Sequence, residues 1–444
     1  MSITIERVSA ATPDTKRVTA LLARPQMESS ESLTSSVAAI IDEVRAGGDA
    51  ALMALGARYD SSPAATLWAS SEDIASAQSR LDSDLIDAID TAIDTIGRFH
   101  AAGKPSPYEV ETAPGVVCQA LWRPLDAVGL YVPAGGAPLP STAIMLGVPA
   151  RLAGCQQVVL ATPPGPDGRP DPAVLMIASR LGIERVLVAG GAQAVAAMAY
   201  GTESCPKATK IFGPGNRFVT EAKRLASLDI DGAAMDMPAG PSEVMVIADE
   251  TANPDFVACD LLSQAEHGPD SQVVLLTPSQ ALAEQAIESL MRFLPTLGRA
   301  AVAETALAHA RVLVVDDLNH ATTIANQYAP EHLILAGDTA DQWVSGIQTA
   351  GSVFVGHHTP EALGDYISGT NHVLPTGGWA KVYAGLSVSD FMRRMTVQQA
   401  SAEGLKNLGP KGARLATHEG LDAHRLAIEI RLNALDQPAA KGRA

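Results

Sequence analysis

The sequence has few cysteines, and their spacing argues against a thiolate metal site. Cys118, Cys155, Cys205 and Cys259 are far apart and form no CxxC pair, whereas structural zinc sites usually need closely spaced thiolates. A catalytic thiol is also disfavoured, because nothing near these residues in the sequence would lower a thiol pKa. In a reducing compartment they are expected to be small buried hydrophobic residues.

Long apolar runs and basic residues are also scarce. No apolar run approaches the roughly 18 residues that span a bilayer, and the N-terminus lacks the pattern of a secretory signal, so a cytoplasmic location is expected. Lys and Arg number 32 against 49 Asp and Glu, which gives a formal net charge of -17. A surface of that sign disfavours binding to nucleic acid or anionic lipid. It does not exclude an anionic cofactor, which responds to the local field.

Apolar strands and helices alternate through most of the chain. A length of 444 residues predicts two main domains. One strand–helix series runs from residue 126 to about 228, and a second begins at "SEVMVIAD" and ends at "GSVFVG". Continuous apolar strands between helices are typical of parallel sheets covered on both faces. The sequence therefore predicts an α/β fold with two doubly wound, Rossmann-like parallel-sheet domains and small helical N- and C-terminal segments.

Three stretches carry residues that bind protons or metals. In "DLLSQAEHGPD", Gln264 and His267 are three apart and would share one face of the last helical turn. They could both bind one metal ion, or His267 could simply favour a helix C-terminus with Gln264 at the surface. In "YAPEHLILAG", adjacent Glu331 and His332 suit two proton transfers, or else form a solvated turn. The segment "GDYISGTNHVLPTGG" is predicted to be a functional loop carrying Asp365 and His372.

The tail and the glycine turns give weaker signals. "HEGLDAHRLA" contains Glu419 and His424, and His424 could equally be a packing residue on a helix. No GxGxxG follows a strand. Glycines at "VAGGAQ" and "FGPGNR" stand at strand-to-helix turns, which suit phosphate binding but also occur for packing. A dinucleotide would have to bind without the usual fingerprint.

Together these motifs are more specific than any one of them. The stretches "GLYVPAGGAPLPST", "VAGGAQAVAAMAYGTE", "KIFGPGNRFVTEAKR", "DMPAGPSEVMVIAD", "DLLSQAEHGPDSQ", "YAPEHL" and "GDYISGTNHVLPT" occur in this order and spacing. On these motifs the chain resembles histidinol dehydrogenases from about residue 30 to about residue 435. One departure is Ala134, where that family more often has Gly, so the mouth of that loop is expected to differ slightly.

The resemblance implies an enzyme that oxidises L-histidinol to L-histidine through an aldehyde, with two NAD⁺ and one zinc ion per site. It implies His332 as proton acceptor in the first step and Glu331 as activator of water before the second. Zinc would orient and polarise the substrate. The implied metal ligands, which would also lie against the substrate together with His332, are Gln264, His267, Asp365 and His424. The tail ligand would come from the partner subunit, which implies a homodimer.

Further contacts and the domain division follow from the same resemblance. Substrate contacts would be Ser242 and Glu419, with His372 as a third, and NAD contacts would be Tyr131, Gln193 and Asn216. The expected division has four parts: an N-terminal segment, 1–29; a first α/β domain with the zinc and catalytic residues, 30–125 and 236–381; a second, NAD-binding α/β domain, 126–235; and a helical tail making the dimer contact, 382–444.

Three alternatives stay open at the level of sequence. One is a related NAD-dependent alcohol dehydrogenase acting on another small polyol or a sulfonated diol. Another is a zinc hydrolase, because the same donors suit water activation, and a third is a binding protein without catalysis. Manganese or cobalt could also occupy such a metal site.

Overall fold

The computed structural model describes residues 3–9, 14–25, 31–134, 138–238 and 240–436. The chain divides into two compact units. The first contains Met1–Gly103 and Leu125–Phe391, and the second contains Lys104–Pro124 and Met392–Ala444. Within the described residues, no helix is both long enough and apolar enough to cross a membrane.

The strands form two parallel sheets and one antiparallel sheet. In chain order they are β1 (Ile5–Arg7), β2 (Tyr108–Ala113), β3 (Val116–Pro124), β4 (Ala127–Tyr131), β5 (Gln157–Thr162), β6 (Arg185–Val188), β7 (Lys210–Phe212), β8 (Ala234–Met235), β9 (Glu243–Ala248), β10 (Gln272–Thr277), β11 (Arg311–Val314), β12 (His332–Ala336), β13 (Ser352–Val355) and β14 (Met392–Ala400).

Most helices connect these strands. In chain order they are α1 (Asp14–Leu21), α2 (Glu31–Tyr59), α3 (Ser71–Ser76), α4 (Ser83–Ala102), α5 (Pro140–Ala153), α6 (Pro172–Leu181), α7 (Gly191–Tyr200), α8 (Arg217–Leu228), α9 (Pro254–Ala265), α10 (Gln280–Phe293), α11 (Ala300–Ala306), α12 (Leu318–Tyr328), α13 (Ala340–Trp343), α14 (Glu361–Tyr366), α15 (Ala402–His418) and α16 (Asp422–Asp436).

Two parallel sheets lie in the first unit. Sheet A has the order β1-β11-β10-β9-β12-β13, and sheet B has the order β6-β5-β4-β7-β8. All their pairings are parallel. Every residue of β9, β10 and β12 is buried, as expected where helices cover both faces. The predicted pair of parallel-sheet α/β folds is confirmed.

The residues before 126 differ from their expected placement in the zinc-containing domain, 30–125. Helix α2 packs on α7 and α8, beside sheet B, and its buried Val37, Ile41 and Leu52 belong to that core. The buried residues of α2 form an apolar face, but a hydrophobic pattern in a sequence does not specify which sheet covers such a face. The N-terminal segment also supplies β1, which pairs with β11 at the edge of sheet A.

The second unit corrects the expectation of a purely helical tail, 382–444. Strand β14 pairs antiparallel with β3, and β3 pairs antiparallel with β2, while α15 and α16 pack on each other. Strand β14 reads "MRRMTVQQA" and is exposed over nearly its whole length. Such a strand has no buried apolar face, so its sequence lacks the pattern that would identify it.

Candidate active site

The residues predicted to do chemistry meet at the amino ends of the strands of sheet A. His332 is the first residue of β12 and pairs in register with Val244 on β9, directly after Glu243. Ser242 lies one residue before β9 and is partly buried. Open parallel sheets usually bind ligands at the carboxyl ends of their strands, so this cluster occupies the less common edge.

One residue of β9 fixes both predicted proton acceptors. The backbone N–H of Glu243 donates to Glu331 Oε2 at 2.8 Å, and His332 Nδ1 lies 3.2 Å from the carbonyl oxygen of Glu243. A carbonyl oxygen only accepts, so Nδ1 carries a hydrogen, and Nε2 is the nitrogen that accepts a proton when the ring is neutral. His332 Nε2 is buried, has no hydrogen-bond partner among the described residues, and lies 3.4 Å from Asp365 Oδ1.

Burial and neighbouring charges shift both groups. Burial raises the pKa of Glu331 to about 8. Burial by itself lowers the pKa of His332, but the negative charges of Glu361, Glu331 and Asp365 outweigh it and raise that pKa to about 10. Perturbed pKa values of buried, interacting groups are typical of functional sites. Both side chains therefore hold a proton more tightly than their ordinary counterparts.

The end of helix α9 brings an amide and an imidazole to this cluster. The helix stops at Ala265, so His267 lies just beyond it, and its N–H donates to the carbonyl of Gln264 at 3.2 Å. Gln264 is completely buried. When the amide is oriented so that both its ends find partners, its NH₂ donates to Glu361 and its oxygen accepts from the N–H of Glu243 at 3.3 Å. Gln264 and His267 were predicted to share one face of the last helical turn. They are instead brought together by the turn that follows the helix.

Helix α14 supplies two carboxylates one turn apart. Asp365 is on this helix rather than in the predicted loop, and Glu361 is its first residue and fully buried. One ligand atom each of His267, Glu361 and Asp365 lie within 4.8 Å of one another. Burial raises the pKa of Glu361 well above its usual range. Buried charges are normally paired or bound to a metal. Two carboxyl groups close to the imidazoles of His267 and His332 therefore fit a site for a divalent cation.

His372 supports the position of Asp365. Its Nδ1–H donates to the carbonyl oxygen of Asp365 at 2.8 Å, and its Nε2 accepts from the hydroxyl of Thr142 at 3.3 Å. Burial lowers the pKa of His372, which favours this neutral form. With both ring nitrogens engaged, His372 connects α14 to α5 on the side of sheet B. Its predicted substrate contact stays a prediction.

The two tail residues lie in the second unit. His424 is on α16 and Glu419 is the residue directly after α15, and both are exposed. Their roles as metal ligand and substrate contact stay predictions.

The predicted cofactor contacts meet at the carboxyl edge of sheet B. Tyr131 ends β4, and its Oη accepts from the N–H of Gly191 at 3.0 Å. Gln193 is buried in the first turn of α7. Asn216 caps α8, accepting from the N–H groups of the second and third residues after it at 3.0 and 3.2 Å. Burial raises the pKa of Tyr131 to about 12, so its hydroxyl keeps its proton. Ala134 is described, but residues 135–137 of that loop lie outside the described residues.

Gly213 allows the turn after β7 to approach β4. Its φ is +117°, and a Cβ on it would lie 2.2 Å from the carbonyl oxygen of Tyr131. We expect Gly213→Ala to lower the free energy of unfolding by about 2–5 kcal/mol, from overpacking and backbone strain together. Gly182→Ala is the matched control, because Gly182 has a φ of +71° but open space around it, and should cost only about 1 kcal/mol. Urea unfolding measures both, and equal losses would contradict the role of the close contact.

Comparison with known proteins identifies the family. The sequence model described as histidinol dehydrogenase matches residues 22–432. The chain belongs to the histidinol dehydrogenase family. It is 50% identical over 418 residues to the histidinol dehydrogenase of Vibrio parahaemolyticus, covering 94% of this chain and 96% of that protein. It is 54% identical over 422 residues to that of Xylella fastidiosa, covering 95% and 97%.

A solved histidinol dehydrogenase has the same fold. The crystal structure of the enzyme from Elizabethkingia anophelis superposes with a TM-score of 0.93 at 42% identity, covering 98% of this chain and 99% of that one. The resemblance inferred from the motifs is confirmed, and the chain is an oxidoreductase.

Two residues of the cluster were missing from the set that the resemblance to histidinol dehydrogenase implied. In the sequence, Glu361 is an ordinary acidic residue in the first turn of a helix. Its one signal is the spacing of four residues from Asp365, which puts the two side chains on one face of that helix. Glu243 reads as the start of a strand. Its carboxylate nevertheless accepts from Arg24 at 2.5 and 3.0 Å and from the N–H of Gly377 at 2.9 Å, which anchors the residue that holds Glu331 and His332.

Proposed function

We propose that the chain catalyses the NAD-dependent, four-electron oxidation of L-histidinol to L-histidine through L-histidinaldehyde, the last step of histidine biosynthesis. The proposal rests on one observation above the rest. His332 Nε2 is buried without a hydrogen-bond partner among the described residues and lies 3.4 Å from Asp365 in the candidate metal cluster. A base placed next to a cation site suits an alcohol whose hydroxyl hydrogen must be removed.

His332 is the proton acceptor of the first step. Its Nδ1–H is held by the carbonyl of Glu243, so Nε2 takes the hydroxyl proton as the carbon-bound hydrogen leaves as hydride and the C–O bond becomes a carbonyl. The fixed ring orientation limits the motion that this transfer requires. Phe354 packs on one side of the ring, with centroids 5.9 Å apart.

Glu331 serves the second step. The aldehyde must first add water, and Glu331, whose carboxylate lies 3.7 Å from the ring of His332, accepts the proton that this water releases. The hydrated carbon then loses a second hydride and becomes a carboxylate. Histidinol, two NAD⁺ and one water give histidine, two NADH and three protons, which balances the four electrons.

Two groups would be held by this chain. Gln264, His267 and Asp365 would hold zinc, with His424 of a second copy, and the carboxyl group of Glu361 lies within 4.8 Å of the ligand atoms of His267 and Asp365. Tyr131, Gln193 and Asn216 would hold NAD at the carboxyl edge of sheet B. When bound, zinc polarises the substrate and NAD⁺ accepts the hydrides. Ser242 and Glu419 would contact the substrate, and the need for His424 from a second chain implies a homodimer.

The decisive measurement counts NADH per histidinol consumed by metal-analysed protein. We expect two NADH per histidinol, with about one zinc ion per chain. One NADH per molecule of alcohol would indicate an alcohol dehydrogenase that stops at the aldehyde or carbonyl stage. Product without any NADH would indicate hydrolysis. Growth of a histidine auxotroph on histidinol, with and without the chain, tests the same reaction in the cell.

A further inference from the structure

A buried ion pair lies under the turn that leads into α8. Lys223 Nζ lies 2.5 Å from Asp236 Oδ1, and the side chains are 2% and 1% exposed. Burying two charges is costly, and such a pair often stabilises a protein no more than a matched apolar pair would. Its presence in this place therefore calls for an explanation other than stability.

The pair holds both peptide groups of a single residue. The N–H of Gly213 donates to Asp236 Oδ2 at 2.8 Å, and Lys223 Nζ donates to the carbonyl oxygen of Gly213 at 2.8 Å. Lys223 is on α8, and Asp236 directly follows β8, where its own N–H donates to Ile211 at 3.2 Å. The ion pair thus connects β7, β8 and α8 through one glycine.

That glycine is close to the residues proposed to bind the cofactor. Gly213 packs against the carbonyl of Tyr131, and three residues later Asn216 begins α8 by accepting from the N–H groups of Phe218 and Val219. The ion pair itself is buried below the turn, and both its charged groups are already engaged. It can therefore affect a bound dinucleotide only by setting the path of the backbone.

We propose that Lys223 and Asp236 are positioning residues for NAD, holding the turn 213–216 in the one conformation that presents Asn216 and the start of α8 to the dinucleotide. This inference rests on the proposed function. A displacement of about 1 Å can cost roughly 100-fold in rate where the displaced groups position reacting atoms, and we expect a loss of similar size in affinity where they hold the dinucleotide. Loosening the turn should therefore weaken NAD⁺ binding by roughly 10- to 100-fold, and histidinol binding hardly at all.

Three variants separate positioning from stability. Lys223→Met removes the donor to the carbonyl of Gly213 and leaves Asp236 unpaired. Asp236→Asn keeps an oxygen for the N–H of Gly213 but leaves Lys223 unpaired. The double variant Lys223→Met/Asp236→Asn contains no unpaired buried charge, so its stability should recover toward that of the parent. It still lacks the hydrogen bond from residue 223 to the carbonyl of Gly213. Arg180→Met breaks the exposed pair of Arg180 and Asp90, at 2.9 Å, and is the control.

The measurements are the Kd of NAD⁺ by calorimetry, the KM of NAD⁺ and of histidinol, and the unfolding temperature. We expect the double variant to bind NAD⁺ roughly 10- to 100-fold more weakly, with kcat at saturating NAD⁺ and the KM of histidinol within about twofold of the parent. Recovery of NAD⁺ affinity together with stability would overturn the inference. If the single variants do not fold, the double variant decides. Failure of the parent to bind NAD⁺ would instead refute the proposed function.

Discussion

Replacing His332 by Asn is expected to lower kcat for L-histidinol oxidation by roughly 10²–10⁴-fold, the usual contribution of a positioned general base. The amide can still lie near the carbonyl of Glu243, but it offers no basic nitrogen at the position of Nε2. The loss should appear in kcat more than in the KM of NAD⁺, because the proposed cofactor contacts lie at the edge of the other sheet. Initial rates of NADH formation measure it.

Two further variants show whether this loss is specific. His320→Asn is the matched control, because His320 Nδ1 is also buried and lacks a hydrogen-bond partner among the described residues, but it lies on α12 after the carboxyl end of β11. Its kcat should stay within about twofold. Glu331→Gln should slow the oxidation of added histidinaldehyde. If that variant oxidised the aldehyde as fast as the parent, the assignment of the second proton transfer to Glu331 and of the first to His332 would be wrong.

The parts of the fold that sequence could predict are those with a local signal. Apart from β1 and β8, the strands of sheets A and B are short and mostly buried and apolar, and nearly all of them are followed by a helical pattern, so their alternation could be read along the chain. Strand β14 has no such signal, because it is exposed over nearly its whole length. Its pairing partner β3 lies more than 260 residues earlier in the chain. Long-range pairing of exposed strands depends on tertiary contacts that no short window contains.

In the candidate site, too, some residues could be predicted from the local sequence and others could not. Gln264 and His267, or Glu331 and His332, are neighbours in sequence, and their proximity needs no knowledge of the fold. Their meeting with α14 depends on the topology of sheet A and could be anticipated only through the family resemblance. Glu361 gave no sign of burial in the sequence. The orientation of His332 is also a property of the fold, because it depends on a carbonyl of the neighbouring strand β9.

Asp365→Ala is expected to remove the metal and, with it, nearly all oxidation of histidinol. Asp365 is one of three residues whose ligand atoms lie within 4.8 Å of one another, and its carboxylate is only 13% exposed. Loss of a residue that only supports a ligand weakens metal binding by roughly 10–100-fold, so loss of a ligand should cost more than about 100-fold. Metal analysis after dialysis against a weak chelator measures it.

The control for this variant is Asp255→Ala. Asp255 is on the first turn of α9, where it pairs with exposed Arg292, so its loss should leave the metal content unchanged. Unchanged metal in Asp365→Ala would show that the carboxylate serves another purpose. The remaining carboxylate of the candidate metal cluster would then be Glu361, and Glu361→Gln would become the variant that loses the ion. Because the two carboxylates lie one helical turn apart on α14, the comparison decides which of them binds the cation and which only balances its charge.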